Sequence, residues 1–471
     1  MYELTLEKIT EATQGELRGT GGAGEIQPTG VSIDTRTIKP GELFFAFIGE
    51  RTDGHNYLQQ ALEKGAVAAV VSYLPEEASL EGFPIIKVKD VTKAIQQTAL
   101  VMRRLFSGPI IAVTGSTGKT TTKDMLWSIL SERGPVLCNA GNHNNELGLP
   151  LTILSLEKKH WAVVLEMGMR GLGEIDFLAC LSEPNYGIIT NVGHTHRELL
   201  GSQENIAQAK AELLSHIPSQ GGIVLNKEDR ILLKPWLSNI RCKVSWVNQN
   251  TSADIWARDI KELWNKDGQP SLSFSVYTRS GRECSLMLPV PGVHNVTNAL
   301  LSVAMARQLG IKWEEISTGL RNLKLTSMRL ELQYCDQRKI LVINDAYNAN
   351  PASMQAALEV LASRAATGQR PIAVLGNMYE LGDYEEEGHI LVGKKAKETG
   401  TAYLITVGDK ARLIANGALK AGMKEENIHI CYDNIQALDI LKKIIQPNDV
   451  LLIKGSRGVK MEEIAIGLLS R

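Results

Sequence analysis

Short apolar runs alternate with amphipathic stretches along most of the chain. In the first half, the runs that have the length and composition of buried strands lie at 66–73, 83–88, 161–167, 186–192 and 222–226. Patterns with the period of a helix separate them, as at 91–106. This alternation predicts a parallel sheet whose strands are joined by crossover helices.

The pattern changes between 250 and 290. Residues 271–290 form short alternating segments around a Ser280-Gly281 turn, which predicts an antiparallel excursion from the parallel sheet. Strand-like runs followed by helical patterns then return at 339–345, 371–377, 402–408, 427–433 and 449–455. We predict a second α/β unit of about five strands with a Rossmann-like pattern, and a bridge to it near 306–329.

Composition narrows the classes of protein that fit this pattern. With 471 residues, 44% of them apolar, the chain is long enough for about three domains, and a net charge of −1 gives no broad cationic field for nucleic acid. The six cysteines are scattered, the N-terminus lacks a signal pattern, and no run reaches the ~18 apolar residues of a membrane span. We expect a cytoplasmic protein with reduced thiols and no nucleic-acid partner.

The strongest chemical motif is a glycine loop between an apolar strand and a helical pattern: Thr114, Gly115, Ser116, Thr117, Gly118, Lys119 and Thr120. The glycines let backbone N–H groups face phosphate oxygens, Lys119 supplies charge, and Thr120 offers a hydroxyl to Mg²⁺. The strict GxxxxGK[ST] form would begin at Val113, but the glycine lies two places later. We predict a nucleotide phosphate site; the ordinary alternative is a glycine turn that binds nothing.

The segment TGSTGKTTTKDM at 114–125 resembles the Mur ligases, ATP-dependent amide ligases of peptidoglycan synthesis. Further blocks that carry the resemblance are VSIDTRTIKPGELFFAFIGERTDGHNY (31–57), NAGNHNNELGLPLTIL (139–154), VVLEMGMRGLGEI (163–175), TNVGHTHRELLGSQENIAQAKAEL (190–213), PGVHNVTNALLSVAMA (291–306), INDAYNANPASMQAAL (343–358), LGNMYELGDYEEEGH (375–389) and LIKGSRGVKMEEI (452–464). The resemblance therefore covers essentially the whole chain.

This resemblance implies an α/β fold of three domains, with a central P-loop-type, mostly parallel sheet domain and a C-terminal Rossmann-like domain. We place a UDP-sugar-binding domain at 1–90, the ATP-binding domain at 91–324 and the domain for the incoming dipeptide at 325–471. The implied substrates are UDP-N-acetylmuramoyl-tripeptide and D-alanyl-D-alanine. A sister ligase that adds one amino acid or adds glutamates to folate, a nucleotide-dependent switch, and a kinase remain alternatives.

The resemblance also implies a metal site. It assigns Mg²⁺ ligation to Thr120, Glu166 and His196, and carbamylation by CO₂ to Lys210, whose amine must then be uncharged and hence desolvated. His194 is the alternative metal histidine. From the residues alone, Glu166 could be a surface carboxylate at a strand end, and Lys210 a solvated lysine on a helix.

Nucleotide contacts are implied for one group of residues in the last two domains: Asn295, Asn298, Arg329 and Asp345. Asn295 and Asn298 share a helix face and are expected near adenine, although Asn295 could instead cap that helix. Arg329 is expected at the phosphates and Asp345 near the ribose. Tyr347 and Asn348 lie in a loop after a strand, where substrate contact is more common than a plain spacer.

The UDP end of the substrate is expected in the first domain. Two polar loops there match the family pattern and contain Ser32, Asp34, Arg36, Arg51, Asp53 and His55. Asn144 and Asn145 resemble the segment of the central domain that binds the sugar peptide. Ordinary turns are the alternative for these loops.

Overall fold

A computed structural model describes residues 4–19, 22–50, 52–75, 80–249, 253–265, 268–366 and 368–470. Its contacts divide the chain into two compact units, Met1–Ala112 with Gly134–Met169 and Gly173–Tyr186, and Val113–Arg133 with Arg170–Leu172 and Gly187–Arg471. The described residues form three β-sheets, and the strands of each fall within one predicted domain. The three-domain α/β fold is confirmed, whereas the domain boundaries stay predictions.

The first sheet has five strands in the order β1-β5-β4-β3-β2. Its strands are β1 (Glu16–Arg18), β2 (Gly30–Ser32), β3 (Glu42–Phe45), β4 (Ala68–Val71) and β5 (Ile85–Lys87). All pairs are parallel except β1 with β5. The helices of this region are α1 (Leu6–Thr13), α2 (Leu58–Glu63) and α3 (Val91–Leu105). Thr5 and Asp90 cap α1 and α3 by accepting backbone N–H bonds, which explains where these two helices begin.

The second sheet has nine strands in the order β14-β13-β12-β11-β10-β9-β6-β8-β7. They are β6 (Ile110–Thr114), β7 (Val136–Cys138), β8 (Ala162–Glu166), β9 (Tyr186–Ile189), β10 (Gly222–Asn226), β11 (Lys243–Asn248), β12 (Ile255–Trp264), β13 (Pro270–Thr278) and β14 (Gly281–Leu288). The last three strands pair antiparallel, which confirms the predicted excursion.

The helices that accompany these strands are α4 (Lys119–Ser131), α5 (Gly148–Leu154), α6 (Glu174–Ser182), α7 (Arg197–Leu200), α8 (Gln203–Ala211), α9 (Arg230–Leu237), α10 (His294–Gln308) and α11 (Trp313–Arg321). Helix α4 begins directly after the glycine loop. The strand, loop and helix predicted around that motif are therefore all present.

The third sheet has six strands in the order β15-β16-β20-β17-β18-β19. They are β15 (Glu331–Cys335), β16 (Ile340–Asn344), β17 (Arg370–Gly376), β18 (Tyr403–Val407), β19 (Ile428–Cys431) and β20 (Asp449–Lys454), and the helices are α12 (Pro351–Ala365), α13 (Glu385–Glu398), α14 (Arg412–Lys420), α15 (Asn434–Ile444) and α16 (Glu462–Leu469). All pairs are parallel except β15 with β16.

Strand β16 shows why these runs are uniformly apolar. Leu341 and Ile343 pack into one core, whereas Ile340 and Val342 pack into a second core on the other face of the sheet. A sheet covered on both faces needs apolar residues at every position of its central strands. Helix α12 begins where Asn350 caps the chain and Pro351 takes the first turn. Within the described residues, no helix is long and apolar enough to cross a membrane.

Candidate functional site

The glycine loop turns sharply between β6 and α4. Gly118 has φ of 77°, and a Cβ there would lie 2.4 Å from Oδ1 of Asn298. A Cβ at Gly115, with φ of 149°, would lie 1.9 Å from Oγ1 of Thr190. Both positions therefore require glycine, because a side chain would meet a neighbour and strain the backbone.

The loop is held in place from the segment that follows β9. The Thr117 N–H donates to Oδ1 of Asn191 at 3.0 Å, and the Asn191 amide donates to Oγ1 of Thr117 at 2.8 Å. Thr190 donates to the carbonyl of Thr117 at 2.5 Å, and the Gly193 N–H donates to Oγ of Ser116 at 2.8 Å. The sequence reasoning missed Thr190 and Asn191 as support for the loop. Their signal was two polar residues directly after a buried strand.

Lys119 and Thr120 are the first two residues of α4, and Arg329 of the predicted C-terminal domain contacts Thr120. The Lys119 amine donates to the Gly115 carbonyl at 2.7 Å, and Nη2 of Arg329 donates to Oγ1 of Thr120 at 2.9 Å. The Arg329 guanidinium also lies 4.3 Å from the ring centre of Tyr347. The structure thus brings together four predicted site residues from two predicted domains, with their cationic groups next to the loop.

A cavity of about 510 Å³ opens beside the loop. Its lining comes from the loop itself, from the β9 segment, from the start of α10 and from the strand ends of the third sheet; it includes Ser116, Thr117, Gly118, Asn191, His194, His294, Asn295, Asn298, Arg329, Asp345, Asn350 and Lys454. Thr114 is buried at the end of β6. Most of the predicted nucleotide residues therefore surround one space.

The two predicted asparagines of α10 are buried and bonded to each other. The Asn298 amide donates to Oδ1 of Asn295 at 3.0 Å, and the Asn295 amide donates to the Pro291 carbonyl at 2.7 Å. Asn295 lies inside α10, whose N-cap position is Val293, and its Oδ1 accepts from Asn298, so the capping alternative gains no support. His294, the first residue of α10, is exposed and also lines the cavity.

Asp345 directly follows β16, and both of its carboxylate oxygens accept hydrogen bonds. Lys454 donates to Oδ2 of Asp345 at 2.5 Å and to the Asn348 carbonyl at 3.0 Å, and the Leu330 N–H donates to Oδ1 at 3.1 Å. Lys454 is buried, and that burial lowers its pKa against the opposing effect of Asp345. The sequence did not single out Lys454, which lies in the block at 452–464.

Lys210 is fully buried on α8, with 0% exposure, and its amine has no hydrogen-bond partner in the described part of the chain. Burial, followed by repulsion from Lys119, holds its pKa well below the ordinary range, and Asp229 acts in the opposite direction. Asp229 is itself buried, which raises its pKa to about 6. Lys210 is therefore not the solvated helix lysine that the sequence allowed as an alternative.

The two candidate metal histidines have different surroundings. His196 has a left-handed backbone, and its Nδ1 lies 2.6 Å from Oε2 of Glu380. His194 lines the cavity, and its ring centre lies 4.9 Å from that of Tyr384. Only His196 is paired with a carboxylate, which is the usual arrangement of a metal-binding histidine.

Glu166 belongs to the first unit, where it ends β8 in a buried position. The Asn144 amide donates to Oε1 of Glu166 at 2.8 Å. Asn145 accepts the Gly148 N–H at 2.9 Å at the start of α5. The surface-carboxylate alternative for Glu166 therefore has no support. Asn144 orients this carboxylate, and Asn145 supports a helix.

The first polar loop of the N-terminal domain lines a second cavity, of about 620 Å³. Ser32 and Asp34 line it together with Cys138, Ala140 and His143. Arg36 is exposed and pairs with Asp34 at 2.6 Å, and its hydrogen bonds lower the pKa of Asp34 to about 2.

The second polar loop is largely occupied by internal bonds. His55 is 1% exposed, with Nδ1 at 2.6 Å from Asp53 and Nε2 accepting the Ser72 N–H at 3.0 Å. Its ring also stacks on Tyr73. The geometry gives His55 a packing role, and its substrate contact stays a prediction. Arg51 lies outside the described residues.

Comparison with known proteins agrees with this arrangement. Three family models match, described as the Mur ligase family catalytic domain (27–103), the Mur ligase middle domain (113–306) and the Mur ligase glutamate ligase domain (328–457). A relative from Bacillus subtilis, named UDP-N-acetylmuramoyl-tripeptide–D-alanyl-D-alanine ligase, is 36% identical and covers 100% of this chain and 99% of its own.

Solved structures give the same result. MurF from Acinetobacter baumannii is similar with a TM-score of 0.83 and 31% identity, over 99% of both chains. MurF ligase from Thermotoga maritima, solved in complex with ADP, has a TM-score of 0.78 and 26% identity, over 93% of this chain and 96% of its own. With family models along most of its length and full-length relatives above 30% identity, the chain belongs to the Mur ligase family.

Proposed function

We propose that this chain is an ATP-dependent ligase that joins D-alanyl-D-alanine to UDP-N-acetylmuramoyl-tripeptide, with release of ADP and phosphate. The observation that carries the proposal is the cavity in which the glycine loop, the α10 asparagines and Arg329 meet. Relatives that carry the name of this ligase match the whole chain, which supports the choice of substrates. A cytoplasmic location stays a prediction.

The reaction has two steps. The terminal carboxylate of the tripeptide attacks the γ-phosphate of ATP, which breaks the bond to ADP and forms an acyl phosphate. The amine of D-alanyl-D-alanine then attacks the acyl carbon, loses a proton and displaces phosphate, so that an amide remains. The protein's contribution to such a transfer is to position the reactants and to stabilise negative charge.

Three groups of this chain are arranged for that task. Ser116, Thr117 and Gly118 line the cavity directly before α4, whose N-terminus favours anions. Lys119 carries a positive charge at the first turn of this helix. The planar fork of Arg329 can hold two phosphate oxygens while its position between Thr120 and Tyr347 limits its freedom.

ATP and Mg²⁺ are the cofactors, and the residues fit an oxygen-rich magnesium site. We assign Thr120, His196 and carbamylated Lys210 to Mg²⁺, with Glu166 as the further predicted ligand. When bound, Mg²⁺ would offset the charge of the transferring phosphoryl group. The fit rests on the Lys210 amine, which is fully buried without a hydrogen-bond partner in the described structure and so needs another chemical form or ligand.

Carbamylation would resolve the unusual state of Lys210. A neutral amine attacks the carbon of CO₂, a new N–C bond forms, and loss of one proton leaves an anion. Lys119 disfavours the ammonium form of Lys210 and would favour this anion by the same Coulomb interaction with opposite sign. The low pKa of Lys210 supplies the neutral amine that the reaction needs.

Replacing Lys210 tests the carbamate. We expect Lys210→Ala to lose activity and to recover part of it when small carboxylates such as acetate are added, because they can take the place of the anion. A ¹³C NMR signal from ¹³CO₂-treated protein should be present in the wild type and absent in the variant. Full activity of Lys210→Ala without rescue would remove the carbamate from the mechanism.

The remaining substrate contacts follow the sequence predictions. We propose that Ser32, Asp34 and Arg36 bind the UDP end beside the second cavity, that Asn144 lies on the path of the sugar peptide, and that Tyr347 and Asn348 approach the dipeptide. The same roles stay predicted for Arg51, Asp53, His55 and Asn145.

The decisive experiment is mass spectrometry of the product formed from UDP-muramoyl tripeptide, ATP and D-alanyl-D-alanine. We expect a product with the mass of the pentapeptide precursor and one ADP for each amide. Coupled phosphate release with other amines separates the sister ligases, since those would accept a single amino acid or glutamate. ATP binding without substrate-stimulated phosphate release would indicate a switch, and a stable phosphorylated product would indicate a kinase.

A further inference from the structure

Two loops that are distant in sequence pack closely in the second unit. The first, residues 194–198, contains both candidate histidines, and the second, residues 380–384, follows β17 of the third sheet. Arg197 pairs with Asp383 at 3.0 Å, and the Glu198 N–H lies 3.5 Å from the Glu380 carbonyl. The contact is tight, because a Cβ at Gly382 would come within 2.7 Å of the Glu198 backbone.

Glu380 makes the contact with the most specific chemistry. Its Oε2 lies 2.6 Å from Nδ1 of His196, which is a close contact between a carboxylate and an imidazole nitrogen. Glu380 also has a left-handed backbone, with φ of 63°, which a non-glycine residue adopts at a cost in energy. The chain therefore bends unfavourably at the residue that meets the histidine.

The contact bears on which nitrogen of His196 is available. A carboxylate this close to Nδ1 favours the tautomer with its proton on Nδ1, which leaves a lone pair on Nε2. No bond to Nε2 is found in the part of the chain that the structure describes. His194 and Tyr384, from the same two segments, line the cavity beside the glycine loop, which places this pair near that loop. A histidine in this state is prepared to bind a cation through Nε2.

We propose that Glu380 is a positioning residue of the ligase, which fixes His196 with Nε2 ready for the divalent metal, so that the C-terminal domain completes a site in the central domain. The inference rests on the proposed role of His196 as a metal ligand. It explains why two left-handed residues, His196 and Glu380, face each other across this contact.

The neighbouring ion pair is a suitable comparison. Asp383 lies in the same loop and pairs with Arg197, directly after His196 in sequence, but its side chain is 70% exposed. Exposed ion pairs contribute little, whereas the carboxylate partner of a metal-binding histidine commonly changes metal affinity about 10- to 100-fold. Glu380 and Asp383 thus share a loop and differ in the role assigned to them.

The test measures metal affinity, with Mn²⁺ as the probe, on the full chain in the presence of ADP by electron paramagnetic resonance. We expect Glu380→Ala to weaken Mn²⁺ binding by about 10-fold or more. The control Asp383→Asn should change it less than about twofold. His196→Ala should weaken binding at least as much as Glu380→Ala, and the double variant should be no weaker than His196→Ala alone, because Glu380 acts only through His196.

The outcomes separate the two ideas. If His196→Ala leaves Mn²⁺ affinity unchanged, the proposed ligand role of His196 is wrong. If His196→Ala weakens binding but Glu380→Ala matches the Asp383→Asn control, His196 keeps its role and the positioning by Glu380 is wrong.

A second measurement does not depend on metal. In protein labelled with ¹⁵N-histidine, the His196 ring should show a protonated Nδ1 and an unprotonated Nε2. Glu380→Gln should shift this signal, while Asp383→Asn should not. An unchanged ring signal in Glu380→Gln would overturn the proposal, and unfolding midpoints of all variants establish that they are folded.

Discussion

The Lys119 amine lies over its own loop and donates to a backbone carbonyl. A phosphate chain carries far more negative charge than that carbonyl, so nucleotide binding would replace one bond with stronger, charge-assisted ones. The loop itself is held by Thr190 and Asn191, whose bonds do not involve the amine. Function should therefore depend on Lys119 much more than folding does.

We expect Lys119→Ala to lose ligation by at least about 100-fold while the protein keeps its fold, because the variant removes charge from the transfer and nothing from the core. Turnover and circular dichroism measure the two effects. Lys424→Ala is the control, since Lys424 is an exposed lysine paired with Glu426. Near-normal turnover of Lys119→Ala would contradict the proposed site.

Asp229 gives stability a particular pH dependence. Burial raises its pKa from 3.8 to about 6, so the folded state keeps a proton that the unfolded state has released. Protonated Asp229 therefore stabilises the folded state fully below about pH 4, and this stabilisation is lost as the pH rises through about 6. Two pKa units correspond to about 3 kcal/mol.

Asp229→Asn removes this titration while keeping the shape of the side chain. We expect the variant to gain up to about 3 kcal/mol relative to the wild type between pH 4 and 7. Urea unfolding midpoints at both pH values, in buffer depleted of CO₂, measure the gain. A difference between the two proteins that stays constant over this range would show that Asp229 has an ordinary pKa in the folded state.

Single residues differ in how much the sequence could say about them. The glycine loop could be predicted because its residues are contiguous and its roles follow from spacing. Burial of Lys210 could not be derived from its helical pattern, and only the family resemblance indicated it. The His196–Glu380 pair joins residues 184 positions apart in two predicted domains, and no local pattern marks such a contact.

Helix α4 depends on glycine at its N-cap position. Gly118 has a left-handed backbone, and any Cβ would press on Asn298, which is buried and bonded to Asn295. A side chain at Gly118 would therefore disturb the loop and the predicted adenine contact at once. Gly422, after α14, has φ of 87° but nothing within 4 Å of its Cβ position.

We expect Gly422→Ala to lower the free energy of unfolding by roughly 1 to 2 kcal/mol, which is the cost of a left-handed alanine. Gly118→Ala should lower it further, because its Cβ would also meet Asn298. Only Gly118→Ala should also abolish tight ADP binding, because only there does the methyl group displace a cavity residue. Chemical unfolding and calorimetric titration with ADP measure the two effects. Equal ADP affinity in both variants would contradict the tight packing around Gly118.

The elements themselves were predicted to different degrees. Uniformly apolar runs such as β16 and β20 were found because strands buried on both faces have a strong signal. Strand β15 was missed, since it is a partly exposed edge strand with the mixed sequence ELQYC. Strand order had no signal in the sequence, because the pairing of β16 with β20 joins residues 109 positions apart, such as Leu341 and Val450.

The cavity is assembled from distant parts of the second unit. Its walls come from the glycine loop, the segment after β9, the start of α10 and the strand ends of the third sheet. A nucleotide bound there should stabilise all four together, by about 2.7 kcal/mol when its concentration is 100 times its dissociation constant.

Hydrogen exchange measures this directly. We expect Mg²⁺ and ADP to slow exchange at 115–121, 191–195, 294–298 and 345–353, with no change in β19, which lies at the far edge of its sheet. Lys119→Ala should show much less protection. Protection confined to 115–121 would mean that the third sheet takes no part in nucleotide binding.

Arg329, which reaches Thr120, has a left-handed residue on each side: φ is 60° at Met328 and 50° at Leu330. Each adds roughly 1 to 2 kcal/mol of backbone strain, and both N–H groups are tied down, one to Glu331 at 2.9 Å and the other to Asp345 at 3.1 Å. These bonds and torsions determine how fast Arg329 can move. A side chain alone reorients within nanoseconds, but moving this segment means breaking those bonds and turning backbone torsions, which belongs to the microsecond-to-millisecond range. Any movement of Arg329 that involves its backbone is therefore as slow as the rearrangement of Met328 and Leu330.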